Sequence, residues 1–183
     1  MRESPGDSDP MFEQYRNYLL ILAEARLHPR LRRVVDPSDL VQETYFRAHR
    51  AHEGYRGDEA GRLAWLKVIL RNVLTDVIRR QFRRPAEVSM EPAIEESTCR
   101  ACDLLAADQS TPSQQAQRHE QTSLLADALV QLPEAQREAI VLQKLQGYPL
   151  GEIAEHMGRS QTAVAGLIKR GLQNLRILMK AKD

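Results

Sequence analysis

The stretch Leu150–Leu172, LGEIAEHMGRSQTAVAGLIKRGL, decides how the chain is read. Ile153, Ala154, Met157, Val164 and Ile168 have the spacing by which two helices bury facing stripes across a short turn, and Gly158 supplies that turn. Ser160 follows as an N-cap, a residue type whose side-chain oxygen accepts a backbone N–H of the coming helix. The pattern predicts a short helix over Leu150–Met157 and a longer one from Ser160 to about Lys180. This is a helix-turn-helix. In such a unit the second helix enters a major groove with its first residues at the base edges. Ser160, Gln161, Thr162 and Ala165 are the positions expected there, with Lys169 and Arg170 further along at phosphates. Gln161 suits a bidentate contact to adenine and Thr162 a hydrogen bond or a thymine methyl, while Ala165 and Gly166 offer almost no direct readout.

Upstream of this unit, Leu124, Leu125, Ala128, Leu129 and Leu132 line one face of a helix beginning near Arg118. Pro133 turns the chain into a second helix, Glu134–Leu145, and the two are expected to form an antiparallel pair. Before them, Glu87, Glu91, Glu95, Glu96, Asp103 and Asp108 face a single base, Arg100, among scattered prolines. Residues 85–117 are therefore expected to be a flexible acidic linker between a domain at 11–84 and a domain at 118–183, after a disordered N-terminus at 1–10.

The N-terminal domain reads as three helices. Phe12, Tyr15, Leu19, Leu20, Leu22, Ala23 and Leu27 predict a helix from Met11 with one core face, ending before Pro29. Asp36 followed by Pro37 places an N-cap and a first-turn proline in the preferred order, and Leu40, Val41, Tyr45, Phe46 and Ala48 continue a second helix. After a loop at Gly54–Gly57, a third helix is expected from about Asp58 to Arg83. Its apolar stripe includes Leu66, Ile69, Leu70, Val73, Val77 and Ile78, and Trp65 reads as core. Arg71, Asn72, Thr75, Asp76, Arg79 and Arg83 share the opposite face, and with Arg80 they form a positive ridge suited to a nucleic-acid backbone. No strand-like alternation appears in the sequence. The fold class is all-α: two small helical domains joined by a flexible acidic linker, the C-terminal one containing a helix-turn-helix.

Of the 183 residues, 42% are hydrophobic and 28% charged, and the net charge of +1 hides the segregation just described. Glu3, Asp7 and Asp9 give the first ten residues none of the character of a signal peptide, and no apolar run approaches the roughly 18 to 20 residues of a membrane span, so a cytoplasmic protein without membrane insertion is expected. Cys99 and Cys102 form a lone Cys-x-x-Cys without a second pair, and His28, His49, His52, His119 and His156 are dispersed, so no metal and no cofactor is expected. No phosphate loop or nucleophile elbow is present, which points away from an enzyme and leaves no catalytic residue to name.

The run Asp36-Pro-Ser-Asp-Leu-Val-Gln-Glu-Thr-Tyr-Phe-Arg-Ala-His-Arg50 resembles the polymerase-binding helix of extracytoplasmic-function sigma factors of bacterial RNA polymerase. Tyr55-Arg-Gly57 and Ala64-Trp-Leu-Lys-Val-Ile-Leu-Arg-Asn-Val-Leu-Thr-Asp-Val-Ile-Arg-Arg80 follow in that family's order and resemble its promoter-melting segment. Leu132–Ile140, Gly147–Glu155 and the helix after Ser160 resemble its minus-35-binding domain. The resemblance implies binding rather than catalysis: a factor that takes core RNA polymerase to promoter DNA, recognises it and melts it. Asp39, Gln42, Glu43 and Arg47 would contact the coiled coil of the largest polymerase subunit from the outer face of their helix, with Leu40, Val41 and Phe46 packed inward. Tyr55 and Arg56 would belong to the loop that captures a flipped minus-ten base, and Arg71, Asn72, Thr75, Arg79, Arg80 and Arg83 would hold the separated strand. Ser160, Gln161, Thr162, Ala165, Lys169 and Arg170 would read the minus-35 element. The resemblance also implies an anti-sigma factor as a partner and a monomer outside the holoenzyme. Ala163-Val-Ala-Gly-Leu-Ile168 lacks the threonine, lysine and arginine common in that family at this stretch, so minus-35 specificity does not transfer. The alternative reading is a stand-alone helix-turn-helix repressor or activator, which has no reason to carry Asp39–Arg47 in this form.

Overall fold

The computed structural model describes residues 10–51, 55, 59–82 and 112–181. Seven α-helices, one short 3-10 turn and one π-helical turn, Val141–Leu145, are found among them, and no strand. Helix α1 (Pro10–Arg26) is followed by the 3-10 turn Leu31–Arg33, α2 (Pro37–Ala51) and α3 (Glu59–Phe82). Helices α4 (Pro112–Val130), α5 (Glu134–Ile140), α6 (Leu150–Met157) and α7 (Gln161–Lys180) make the C-terminal half.

The sequence places one face of α1 in the core; the structure buries every side of its second half, while Glu13, Gln14 and Arg16 are exposed in the first. Tyr18, Leu19, Ile21, Leu22, Ala23, Glu24, Ala25, Arg26 and Leu27 are all buried, because α1 is packed between α2 and α3 on one side and α4 and the end of α5 on the other. The second helix starts as its sequence predicts. Asp36 Oδ1 accepts the Ser38 N–H at 2.8 Å, and the Asp36 carbonyl accepts the Leu40 N–H, with Pro37 in the first turn where its missing donor costs nothing. Leu40, Val41, Thr44 and Ala48 form the buried face of α2, and the Thr44 hydroxyl donates to the Leu40 carbonyl at 2.7 Å. Leu63, Leu66, Leu70, Val73 and Leu74 do the same for α3 at helical spacing.

The expected linker reaches too far. Residues 112–117 are the first turns of α4 rather than flexible chain; Pro112 is a good first helical residue, since its missing N–H costs nothing there. Cys99, Cys102 and the acidic residues of 85–111 lie outside the described residues, as do 1–9. Helices α4 and α5, expected as an antiparallel pair, touch each other but have larger contacts elsewhere: α4 packs chiefly on α1, and α5 chiefly on α7. The helix-turn-helix is where the sequence puts it. Gly158 ends α6 at φ 61°, a left-handed value that favours glycine, and the Arg159 N–H returns to the Ala154 carbonyl. Ser160 Oγ then accepts the Ala163 N–H at 3.2 Å to cap α7.

Two cores result. A small one gathers Ala139, Leu142, Ile153, Ala154, Val164 and Ile168 around the helix-turn-helix. The larger one is shared: Ala126, Leu129, Leu132 and Ile140 of the C-terminal half complete the core built by α1, α2 and α3.

Candidate nucleic-acid interface

Helix α2 presents Asp39, Gln42 and Glu43 to solvent along one face, all exposed. Phe46 belongs to that face too. It is 56% exposed, contrary to the expected inward packing, because the buried positions 40, 41, 44 and 48 lie on the other side of a 3.6-residue helix from position 46. Arg50 stands over its ring at 4.9 Å. Tyr45 is the aromatic that turns inward, donating its hydroxyl to the Phe12 carbonyl at 2.9 Å.

Arg47 is placed differently from its neighbours. Its Nε donates to Glu43 Oε1 and its second nitrogen to Asp76 Oδ2 on α3, each at 2.7 Å. One guanidinium thus ties the acidic face of α2 to the third helix. The hydrogen bond from Arg47 is the first cause holding the Asp76 carboxyl below its ordinary range, with Arg80 and Arg79 adding to it. The two carboxylates in turn raise the pKa of Arg47.

On α3 the described residues of the expected ridge lie at the surface. Arg71, Asn72, Thr75, Arg79 and Arg80 are exposed, and the Thr75 hydroxyl donates back to the Arg71 carbonyl at 2.8 Å. Arg56 and Arg83 lie outside the described residues. Tyr55 stacks on Trp65, ring centroids 4.6 Å apart at 29°, so Trp65 is half-buried against the core while offering one ring face to the loop before α3. The sequence treats these two aromatics separately; their juxtaposition depends on how the loop folds back onto α3, which spacing does not report.

On α7 Ser160, Gln161, Thr162, Ala165, Lys169 and Arg170 are all exposed, while Val164 and Ile168 face the core. The Arg170 guanidinium lies back along the helix against Gly166, where an added Cβ would come within 3.5 Å of it. Gly166 gives no readout but leaves room for that arginine. Arg159, exposed in the turn before α7, belongs to the same surface; only its place next to the N-cap could have signalled it. No cluster of His, Cys, Asp and Glu able to hold a metal occurs among the described residues, and no helix there is long and apolar enough to cross a membrane.

The structure thus sets the exposed basic residues of α3 beside the exposed polar and acidic face of α2, and carries a helix-turn-helix whose second helix has an exposed face. Residues 11–84 match the Sigma-70 region 2 family model and residues 122–175 the Sigma-70 region 4 model. The chain is 34% identical over 143 residues to the RNA polymerase sigma factor CarQ of Myxococcus xanthus, covering 77% of this chain and 73% of that protein. It is 30% identical over 185 residues to the ECF RNA polymerase sigma factor SigG of Mycobacterium tuberculosis, covering 94% of this chain and 49% of SigG. The solved sigma factor RpoE of Bartonella quintana, in complex with the anti-sigma factor NepR, matches 94% of this chain at 20% identity and a TM-score of 0.35. The chain belongs to the extracytoplasmic-function sigma factors. It spans about half the length of the SigG proteins it matches.

Proposed function

We propose that this chain binds core RNA polymerase and directs promoter-specific transcription initiation. The observation that carries the reading is the pairing of two exposed surfaces on adjoining helices: Asp39, Gln42 and Glu43 on α2, and Arg71, Asn72, Thr75, Arg79 and Arg80 on α3. The α2 face is the polymerase contact, with Phe46 as an apolar anchor among polar groups, the composition of a protein interface centre. Arg47 is a positioning residue for Glu43 rather than a contact in its own right. The α3 face holds the opened strand by phosphate charge, and the Tyr55–Trp65 stack gives the preceding loop a rigid aromatic base against which an extruded minus-ten base is captured. Helix α7 docks at the minus-35 element with Gln161 and Thr162 at the bases and Lys169 and Arg170 at phosphates. With so few base-reading side chains, this contact relies on backbone and DNA shape. The domains 11–84 and 118–183 carry these tasks; the work is binding in the cytoplasm, without cofactor or turnover, and an anti-sigma factor would act by covering α2.

The test is run-off transcription with bacterial core polymerase on a fragment carrying the gene's own upstream region, with the wild-type chain and an Asp39→Ala/Glu43→Ala variant. Protein-dependent initiation that the variant loses supports the reading. A discrete footprint by the protein alone, without initiation, would replace it by the stand-alone repressor or activator.

A further inference from the structure

Helix α3 carries an acid in the middle of its basic face. Asp76 lies four residues after Asn72, three before Arg79 and four before Arg80, and side chains three and four apart are neighbours on a helix surface. Val73 and Leu74 point into the core, so Asp76 stands at the edge of the exposed face, its side chain 41% accessible. The hydrogen bond from Arg47 is the first cause holding its carboxyl below the ordinary range, and at neutral pH it is ionised.

An ionised carboxylate in this place works against a nucleic-acid backbone in two ways. It repels phosphates directly. It also offers Arg79 at i+3 and Arg80 at i+4 a partner on their own helix, with the acid on the N-terminal side, the favourable order for such a pair. A ridge arginine engaged in that way has less charge to give to a strand. Neither capture is found. Among the described residues the ion pair of Asp76 is made with Arg47 of α2, Nη1 to Oδ2 at 2.7 Å, and none is made with Arg79 or Arg80, which are both exposed.

We infer that Arg47 is a positioning residue for the DNA strand: by occupying Asp76 from a second helix it cancels the negative charge inside the α3 ridge and leaves Arg79 and Arg80 to the phosphates. The inference rests on the strand-holding reading of α3 given above. Stability alone does not account for the pair. Both side chains are partly exposed, 32% for Arg47 and 41% for Asp76, and ion pairs so placed contribute little to the fold. Helices α2 and α3 are already joined by Leu40, Val41, Leu66 and Leu70 in one core. The electrostatic effect is another matter, because a phosphate lying on the ridge is within about one Debye length, ~8–10 Å, of the carboxylate and senses its charge. Glu43, one turn back on α2, takes the Nε of the same guanidinium at 2.7 Å and so holds it ready against α3. The planar fork of an arginine meets two carboxylates at once, which a lysine ammonium does less well.

The experiment uses the full chain with core polymerase and, as probe, a fluorescein-labelled duplex from the gene's own upstream region, read by anisotropy over a salt series. Wild type, Arg47→Ala, Asp76→Asn and Arg47→Ala/Asp76→Asn are compared, each at its own saturating level of core polymerase because Arg47 also holds Glu43. Arg47→Ala should weaken DNA binding about three- to tenfold near 0.1 M salt, the scale of one unit charge close to a phosphate in high dielectric. The slope of log affinity against log salt should become shallower by about one. Asp76→Asn, which keeps Arg47 and removes only the charge, should bind at least as tightly as wild type. The double variant should regain the affinity and the slope that Arg47→Ala loses, although the tie between the helices is absent from it; a merely structural tie gives no such rescue. A double variant as weak as Arg47→Ala, or an Asp76→Asn protein that is itself weakened, would overturn the inference. Wild type and Arg47→Ala that bind DNA equally well would also overturn it and leave the sigma reading standing. A wild-type chain that brings core polymerase to no DNA would remove the sigma reading and the inference with it.

Discussion

His28 shows how one ring can report on the joint between the halves. Its Nδ1 accepts the Arg30 N–H at 3.2 Å, which requires an unprotonated nitrogen there, and its edge meets the Tyr148 ring at 6.2 Å and 78°. Burial first, then the charges of Arg30 and His156, push its pKa below 6.5. A depressed folded-state pKa means that the unfolded chain takes up the proton first, so the contribution is present above about pH 6.5 and lost as pH falls. Glu24 works in the opposite sense, since its raised pKa favours the fold once the carboxyl is protonated. Comparing variants separates the two. From about pH 7.5 to about pH 5.5 the wild-type melting temperature should fall relative to that of His28→Gln; thermal melts with parallel pH dependence would remove His28 from the joint's chemistry. Arg47 makes a second residue-scale prediction. If it serves polymerase binding by holding Glu43, then Arg47→Ala and Glu43→Ala are non-additive, and the double variant loses less affinity for core polymerase, read by fluorescence anisotropy, than the two losses combined. Additive losses would return Arg47 to the contact surface.

At the scale of elements, α7 depends on a close approach to α5. A Cβ on Gly171 would stand 2.7 Å from Ile140 Cδ1 and 3.2 Å from Gln136 Cβ, and Ile140 is held in the shared core. Gly171→Ala should therefore cost about 1–2 kcal/mol in urea unfolding, the overpacking outweighing a gain in helix propensity of about 1 kcal/mol. In an Ile140→Val background the Cδ1 is gone and the same substitution should turn neutral or stabilising; an equal cost in both backgrounds would place the strain elsewhere. Ser160→Ala should cost about 1 kcal/mol by loss of the α7 cap, again read by urea unfolding. What the sequence makes legible at this scale is local. The Asp36-Pro37 start, the Gly158 turn and the Ser160 cap are each written in adjacent residues, and each is found in place. Phe46, apolar and so expected inward, is exposed because its helical angle sets it opposite the buried positions 40, 41, 44 and 48. The exposed residues expected on α3 and α7 are recovered because polar faces opposite an apolar stripe follow from periodicity alone. Arg47–Asp76, Tyr55–Trp65 and the all-round burial of the second half of α1 depend on which helix lies against which, and no spacing along the chain contains that.

Across the whole molecule, the shared core changes what independence of the two units means. A reading of two domains on a tether expects two unfolding events, each with its own core. Here Ala126, Leu129, Leu132 and Ile140 belong to the same buried cluster as Leu19, Leu22, Leu66 and Leu70, while the cluster private to the helix-turn-helix is small. A small core supports only marginal stability alone, so the C-terminal unit gains much of its stability from α1. The free chain should then unfold in one cooperative calorimetric transition, with van't Hoff and calorimetric enthalpies in agreement. The Gln146 side chain donates to the Glu24, Ala25 and Leu27 carbonyls at the end of α1, so Gln146→Glu, by unsettling that joint without touching either core, should lower the midpoint and divide the transition in two, the C-terminal unit melting first. Two transitions already in the wild type would mean that the halves fold separately and that α1 and α4 meet only in passing. A single transition kept by Gln146→Glu would mean that the apolar contacts between α1 and α4, rather than the Gln146 hydrogen bonds at the end of α1, couple the two halves.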